Sequence, residues 1–266
     1  MDWSSYREYA PHPLLTGLVR CYWVREKDAG PVPQREVILP DASVELMFYV
    51  GDSRVVAAGG PATPLPAVLT IGLRDEPLLL DTRGTARLLS VRFFPWSMAR
   101  SSPFRSAPNQ FTPHLQPALQ DLAARIIPLV QARDDRAAIG ILDAWLLRRL
   151  RESLAVVTPA SRAGDLLQRS GGQMRIARIA AECGLSPRQV ERTILSTVGL
   201  PPKALARLIR FEQARDRIAA RPDLSLTGLA YDLGYADQAH FIRDFTRLAG
   251  QSPGHFRQFA RRVLDR

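Results

Sequence analysis

Cysteine is scarce in this chain. Cys21 and Cys183 are the only two among 266 residues, and they fall in different predicted domains, which excludes a disulfide framework and a cysteine-rich metal site. Both are expected to be small buried hydrophobes. Histidine is nearly as rare: His12, His114, His240 and His255 all lie outside residues 14–95, where the strand-like segments concentrate. A catalytic metal needs clustered His and carboxylate ligands, so neither a metal nor another cofactor is expected. No Ser/His/Asp or Cys/His partnership can be assembled on those segments either, which argues against an enzyme. Long apolar runs are missing as well, with none approaching the roughly 18 residues of a membrane span. The start, Met1-Asp2-Trp3-Ser4-Ser5-Tyr6-Arg7-Glu8, lacks the basic-then-apolar layout of a secretion signal. A cytoplasmic protein is expected.

The length suits two domains of about 100 to 200 residues each, and an apolar fraction of 46% lets both bury a core. The net charge is +10 and unevenly placed. Residues 1–158 carry 18 Lys and Arg against 16 Asp and Glu, a balance of +2, while residues 159–266 carry 18 against 10, a balance of +8. A small domain with that excess attracts polyanions, and counterions released from phosphates drive its sequence-independent affinity.

From Leu14 to Pro95 the pattern is that of strands. The segments 18–24, 44–50, 54–58, 68–71, 77–80 and 87–94 are short, rich in β-branched or aromatic residues and punctuated by Gly, Pro, Asp and Ser, as in a small barrel or jelly-roll sandwich. Such a barrel can enclose a ligand, and Trp23, Arg35, Asp41, Arg92 and Trp96 are candidate pocket residues, since aromatic walls with a few polar groups are what small-molecule sites use. Core packing and ion pairs are the competing reading of each. Two helical patterns follow, divided by Asp134-Asp135, and the second bears a wide stripe of Ile139, Leu142, Leu146 and Leu150 beside Ile141 and Trp145. That stripe needs a partner: the barrel, the first helix, or its own copy in a dimer. Thr158-Pro159-Ala160-Ser161 reads as a linker.

The most informative stretch runs from Gly234 to Phe245 and on through Gly250-Gln251-Ser252-Pro253 to Phe256-Arg257. Ahead of it, Leu226, Leu229, Ala230 and Leu233 recur at helical spacing. Gly234 supplies a left-handed C-cap and Asp237 an N-cap, so two helices meet at a sharp turn. In the second, Phe241, Phe245 and Leu248 lie on one side, and Gln238, His240, Arg243 and Arg247 fall towards the other, where amide, imidazole and guanidinium groups can meet base edges and phosphates. An ordinary solvated helix face would show similar residues. Three features weigh against that: the C-terminal charge excess, a repeat, and the segment joining the repeats. Ile176, Ile179, Ala180 and Cys183 precede Gly184, then Leu185-Ser186-Pro187 leads into Arg188-Gln189-Val190-Glu191-Arg192, with Gly199 closing the unit. Gly184, Leu185, Arg192 and Gly199 match Gly234, Tyr235, Arg243 and Gly250 at a period of about 50 residues. Between the copies, Pro201-Pro202 opens a helix to about Ala220, with Leu205, Leu208, Ile209, Ala214 and Ile218 inward and Arg207, Arg210, Arg215 and Arg217 largely outward.

The residues Gly234-Tyr235 to Phe245, Gly250, Ser252-Pro253 and Phe256-Arg257 resemble the C-terminal signature of the AraC/XylS family of bacterial transcription regulators, over roughly Ala160 to Arg262. The resemblance implies two helix-turn-helix units joined by a long helix. Tyr22-Trp23, Leu39-Pro40-Asp41, Gly60-Pro61 and Val91-Arg92-Phe93-Phe94-Pro95 carry a looser likeness to the family's cupin-like sensor domains. Thr193, where relatives usually carry an apolar residue, and Glu191, a carboxylate on the DNA-facing side, depart from the pattern in the first unit. The expected fold is α+β in two domains: a small barrel or jelly roll over 1–112, helices over 113–157 that could dimerise, and an all-α domain over 160–262. The expected function is sequence-specific DNA binding in transcription regulation, controlled by a small-molecule effector in the barrel. The alternatives are an effector-independent DNA-binding protein and a barrel-based carrier or enzyme. Candidate DNA contacts are Arg188, Gln189, Glu191, Arg192, Gln238, Ala239, His240, Arg243 and Arg247. Expected partners are double-stranded DNA and an effector, with a second copy of the chain and RNA polymerase as further ones.

Overall fold

The computed structural model describes residues 5–56, 61–100, 107–152 and 158–264, with no side-chain description for 98–100 and 261–264. Ala57, Ala58, Gly60 and Arg266 therefore lie outside the described residues, as do the side chains of Arg261 and Arg262. The chain divides into two compact units. One holds residues 1–38, 43–73 and 78–156, and the other holds 157–266 with two short segments, 39–42 and 74–77.

The first unit is built on one antiparallel sheet of β1 (Arg7–Tyr9), β2 (Val19–Asp28), β3 (Gln34–Ile38), β4 (Val44–Val56), β5 (Ala62–Pro64), β6 (Val68–Ile71), β7 (Leu78–Phe93) and β8 (Phe111–Pro113). The hydrogen-bonded order is β1-β2-β7-β4-β6-β8, with β3 also on β7 and β5 also on β4. Among the described residues no ladder joins β1 to β8, so the sheet is built on two long strands, β4 and β7, without the closure a full barrel has. The expected breaks within those long strands are absent. Gly51, at φ +141°, sits in a bulge between Val50 and Asp52 and carries β4 onward, and a Cβ there would fall 2.8 Å from Ala86 Cα. Gly84 stays inside β7, where its N–H donates to Gly30 O and its carbonyl accepts from Ala29 N.

The alternation of strand side chains places Tyr22, Val24, Leu46, Phe48, Leu89 and Val91 on one face, all buried. Two helices complete this unit, α1 (Pro117–Ala132) and α2 (Asp135–Glu152). The first lays Leu119, Leu122, Ile126 and Val130 against β4, β6 and β7. Each such side chain contributes roughly 1.5–3 kcal/mol on leaving water. Within the α2 stripe Ile139, Leu142, Trp145 and Leu146 are buried in the single chain, while Ile141 and Leu150 are half-buried, so most of its apolar face is covered without a second copy. Across the unit, Arg87 bridges Glu26 of β2 and Asp135 of α2, and Arg133 pairs with Glu26. These guanidiniums, Arg133 first, hold the Glu26 carboxyl down to about 2 from the ordinary 4.5.

The second unit is helical: α3 (Pro159–Arg169), α4 (Ile176–Cys183), α5 (Pro187–Val198), α6 (Pro202–Ala220), α7 (Leu226–Asp232), α8 (Gln238–Ala249) and α9 (Pro253–Leu264). The expected linker is instead the first turn of α3. Thr158 Oγ1 accepts from Ser161 N while Ser161 Oγ accepts from Thr158 N, with Pro159 at the first helical position. This reciprocal capping makes Thr-Pro-x-Ser a helix start rather than a break. Among the described residues no helix is long and apolar enough to cross a membrane.

Candidate nucleic-acid interface

Two helix pairs in the second unit close in the same way. After α4, Gly184 adopts φ +67° and Leu185 N donates to Ala180 O at 2.9 Å. After α7, Gly234 adopts φ +73° and Tyr235 N donates to Ala230 O at 3.0 Å. Both are left-handed closures that satisfy the last carbonyls of a helix, and glycine takes this conformation without the Cβ cost. Side chains then open the second helix of each pair. Ser186 Oγ accepts from Gln189 N, and Asp237 Oδ1 accepts from His240 N at 2.6 Å. Gly199 and Gly250 end them with φ of +81° and +71°. The repeat read from the sequence is thus a repeat of caps and turns.

Packing fixes which face of each second helix is left outside. Val190, Ile194 and Val198 turn α5 onto α3 and α4, while Phe241, Phe245 and Leu248 turn α8 onto its neighbours. Phe245 meets the rings of Phe211, Phe241 and Phe256 at centroid distances of 5.0, 5.8 and 5.7 Å. Outside remain Arg188, Glu191 and Arg192 on α5, with Gln238, Ala239, Arg243 and Arg247 on α8. Among the described residues none of the four arginine side chains is held in a hydrogen bond or ion pair, so their donors face solvent. Two candidates sit differently. Gln189 returns its Oε1 to Ser186 N at 2.8 Å, closing a capping box rather than standing free. The His240 ring lies edge-on to Tyr235 with Nε2 3.6 Å from Asp244 Oδ2, and its side chain is 40% exposed, at the rim of the face. Sequence reasoning missed Leu195 and Ile242, exposed apolar side chains on the same faces. Their i+3 spacing from Arg192 and Ala239 was the available signal. The departure at Thr193 leaves that residue half-buried.

The helix α6 touches α3 and α5 on one side of the repeat and α8 and α9 on the other. Its 19 residues span about 28 Å at 1.5 Å each. Leu205, Leu208, Ile209, Ala214 and Ile218 are buried as expected, but not every arginine lies outside. Arg210 stacks over the Tyr235 ring, 4.5 Å from its centroid, an attraction that a desolvated ring strengthens. Burial pushes the Tyr235 hydroxyl up to about 12. Arg215 is largely buried, pairing with Glu212 and Asp216 and donating to Pro40 O of the 39–42 segment. Gln173, between α3 and α4, donates to Asp232 O at 2.9 Å and fills the space beside Gly234. The two helix pairs are therefore fixed to each other by Gln173, Arg210 and the core of α6.

In the first unit only two of the five candidate pocket residues come together. Glu45 Oε1 accepts from Trp23 Nε1 and Arg92 Nε, and Glu45 Oε2 accepts from Ser90 Oγ. The guanidinium of Arg92 lies 5.3 Å from the Trp23 ring centroid. Arg35 is an exposed cross-strand partner of Asp81. Trp96 is 1% exposed, stacked on Phe94 in the core. Asp41 is buried opposite Arg74 in the segments that cluster with the second unit. A cavity of about 320 Å³ opens elsewhere, lined chiefly by Arg7, Glu26, Lys27, Asp28, Gln34 and Arg87. The two cysteines also differ. Cys21 is buried and its thiol pushed up to about 12 by burial, whereas Cys183 is half-buried. Among the described residues no three His, Cys, Asp or Glu side chains are grouped to hold a metal ion.

Comparison with known proteins places these observations in context. A helix-turn-helix domain model matches residues 179–258, and a domain of unknown function (DUF6597) matches residues 7–114. The HTH-type transcriptional regulator MtrA of Neisseria gonorrhoeae is 27% identical over 119 residues, 45% of this chain and 36% of that protein. The HTH-type transcriptional regulator GlxA of Rhizobium meliloti is 34% identical over 92 residues, 35% of this chain and 27% of that protein. The chain thus matches about a third of the length of these relatives. The solved structure of ToxT from Vibrio cholerae covers 96% of this chain and 98% of its own at a TM-score of 0.51 and 11% identity, a likeness of fold.

Proposed function

We propose that this chain, which belongs to the AraC/XylS family by its tandem helix-turn-helix domain, is a sequence-specific DNA-binding transcription regulator. The observation that carries the reading is the pair of helix-turn-helix units with matching glycine turns, each presenting unpaired guanidiniums on the one face its packing leaves open. Joined through α6, a helix about 28 Å long, the two recognition helices suit successive major grooves, which recur every 34 Å or so along one side of the duplex. Arg188, Arg192 and Arg243 are read as contacts to guanine edges or phosphates, Gln238 as a contact to a base edge, and Arg247 as a contact to the backbone. Glu191 can accept from a cytosine amino group, and Ala239, Ile242 and Leu195 can lie against thymine methyl groups. His240, turned towards Asp244, contributes at the edge.

The first unit is read as the sensor. Its polar cavity suits a small hydrophilic effector rather than an apolar one, since charged side chains of both signs line it. The cluster around Glu45 has its carboxylate oxygens occupied by Trp23, Arg92 and Ser90, so it is read as a structural brace and no catalysis is assigned to it. The α2 stripe is mostly covered in its own chain, with Ile141 and Leu150 half-buried, which leaves little of it to hold a dimer together. RNA polymerase is the protein partner a regulator of this kind meets at a promoter.

Selection of bound duplexes from a random pool tests the reading. An enriched two-part motif is expected, and Arg243→Ala should weaken binding to it by about 1–3 kcal/mol while leaving affinity for unrelated duplexes less changed. Equal affinity for selected and random duplexes at one salt concentration would point to a packaging protein instead.

A further inference from the structure

Gln238 opens α8 on its exposed face, and its side chain does not stand alone. Thr227, in the first turn of α7, donates its hydroxyl to Gln238 Oε1 at 2.9 Å. An unrestrained glutamine in a major groove reads adenine, because its amide oxygen accepts from the adenine amino group while its amide nitrogen donates to N7. That bidentate pairing needs both ends of the amide. Here the oxygen accepts from the Thr227 hydroxyl and is held on the α7 side, and the NH₂ on the other branch of the planar amide is the end left to donate.

We infer that Thr227 is a specificity-determining positioning residue, which makes Gln238 a donor-only reader that selects guanine over adenine. Guanine presents two acceptors in the major groove, N7 and O6, whereas cytosine presents an amino donor that would confront the amide hydrogens. The repeat supplies an independent argument that the Thr227–Gln238 pair is not a requirement of the fold. In the first unit the matched positions hold Ala177 and Pro187, and that unit closes its turn and buries its inner face without either polar group. Both residues of the pair are exposed, so the bond is not needed to satisfy a buried atom. Its remaining consequence is to orient the amide.

The inference rests on the reading of α8 as a recognition helix, and the experiment separates the two. Duplexes are selected from a random pool with the full chain in four forms: unchanged, Gln238→Ala, Thr227→Val and Thr227→Ser. Gln238→Ala should flatten the preference at one base pair, which locates the position. At that position the unchanged protein should prefer guanine. Thr227→Val, which keeps the shape and removes the hydroxyl, should raise adenine relative to guanine between about fivefold and about a hundredfold. Thr227→Ser, which keeps the hydroxyl, should retain guanine. A preference for any base other than guanine in the unchanged protein, or the same base ratio in Thr227→Val, overturns the inference. An enriched motif that Gln238→Ala leaves untouched also overturns it while the regulator reading stands. No enriched motif for the unchanged protein removes both.

Discussion

Two glycines in the second unit share a left-handed backbone but not their surroundings, which allows strain and crowding to be separated. Gly184 has φ +67° with nothing within 4 Å of an added Cβ, whereas Gly172 has φ +74° and a Cβ there would fall 2.4 Å from Ala206 O and 3.2 Å from Arg210 Cγ. Gly184→Ala should therefore cost only the conformational strain, about 1–2 kcal/mol. Gly172→Ala meets that strain plus an overlap with a carbonyl fixed inside α6, which cannot rotate away as a side-chain tip would. Overpacking of this kind costs about 1–3 kcal/mol more, giving about 2–5 kcal/mol in all. The chain also has to move where α6 carries Arg210 to Tyr235, so the damage should spread to the second helix pair. The assay is urea unfolding of both variants followed by far-ultraviolet circular dichroism, with binding to a selected duplex measured in parallel. Equal destabilisation by the two substitutions would refute the close approach of residue 172 to α6.

Three further outcomes are expected. Asp237→Ala removes the side-chain acceptor for His240 N and should cost about 0.5–2 kcal/mol, seen as a lower unfolding midpoint and weaker DNA binding, while Asp237→Asn retains most of both. Phe245→Ala empties the aromatic contact of α8 with α6 and α9 and should cost about 3–5 kcal/mol; a loss below 1 kcal/mol in urea unfolding would contradict the packing described. Glu26 has its folded carboxyl held at about 2 against an ordinary 4.5, so its stabilisation is present above pH 4.5 and disappears as pH falls towards 2. Solvent around Arg133 limits it to about 1 kcal/mol. Glu26→Gln should flatten the loss of stability between pH 6 and pH 2 by most of that amount, and an unchanged slope in unfolding midpoints would count against the pairing.

How far the sequence was legible depended on the range of the interactions. Gly184, Gly234, Ser186 and Asp237 act within one turn of the chain, so their residue types alone announce where α4, α5, α7 and α8 begin and end. The sheet is held by partners far apart in sequence. Glycine at 51 and 84 reads as punctuation, yet each is absorbed into a strand by a neighbour that only the folded sheet supplies, so two pairs of expected strands are single long ones. Glu45 was invisible as a polar centre because its partners Trp23 and Arg92 lie 22 and 47 positions away. The pocket candidates were scattered for the same reason: Arg35 found Asp81 across a ladder and Trp96 found the core. On α5 and α8, residue chemistry pointed to the arginines that the fold leaves on the outer faces, whereas the return of Gln189 to Ser186 and the tilt of His240 towards Asp244 are choices made by competing local acceptors. Ile242 and Leu195 escaped notice because an apolar residue was assumed to face inward.

Hydroxyl-radical footprinting of the full chain on a selected duplex probes most directly whether one polypeptide engages two successive major grooves. Two protected stretches centred about 10 base pairs apart on one side of the helix are the expected pattern, with the stretch nearer α8 lost in Arg243→Ala and the other lost in Arg192→Ala. A single protected stretch, or two lying on opposite sides of the duplex, would contradict the arrangement.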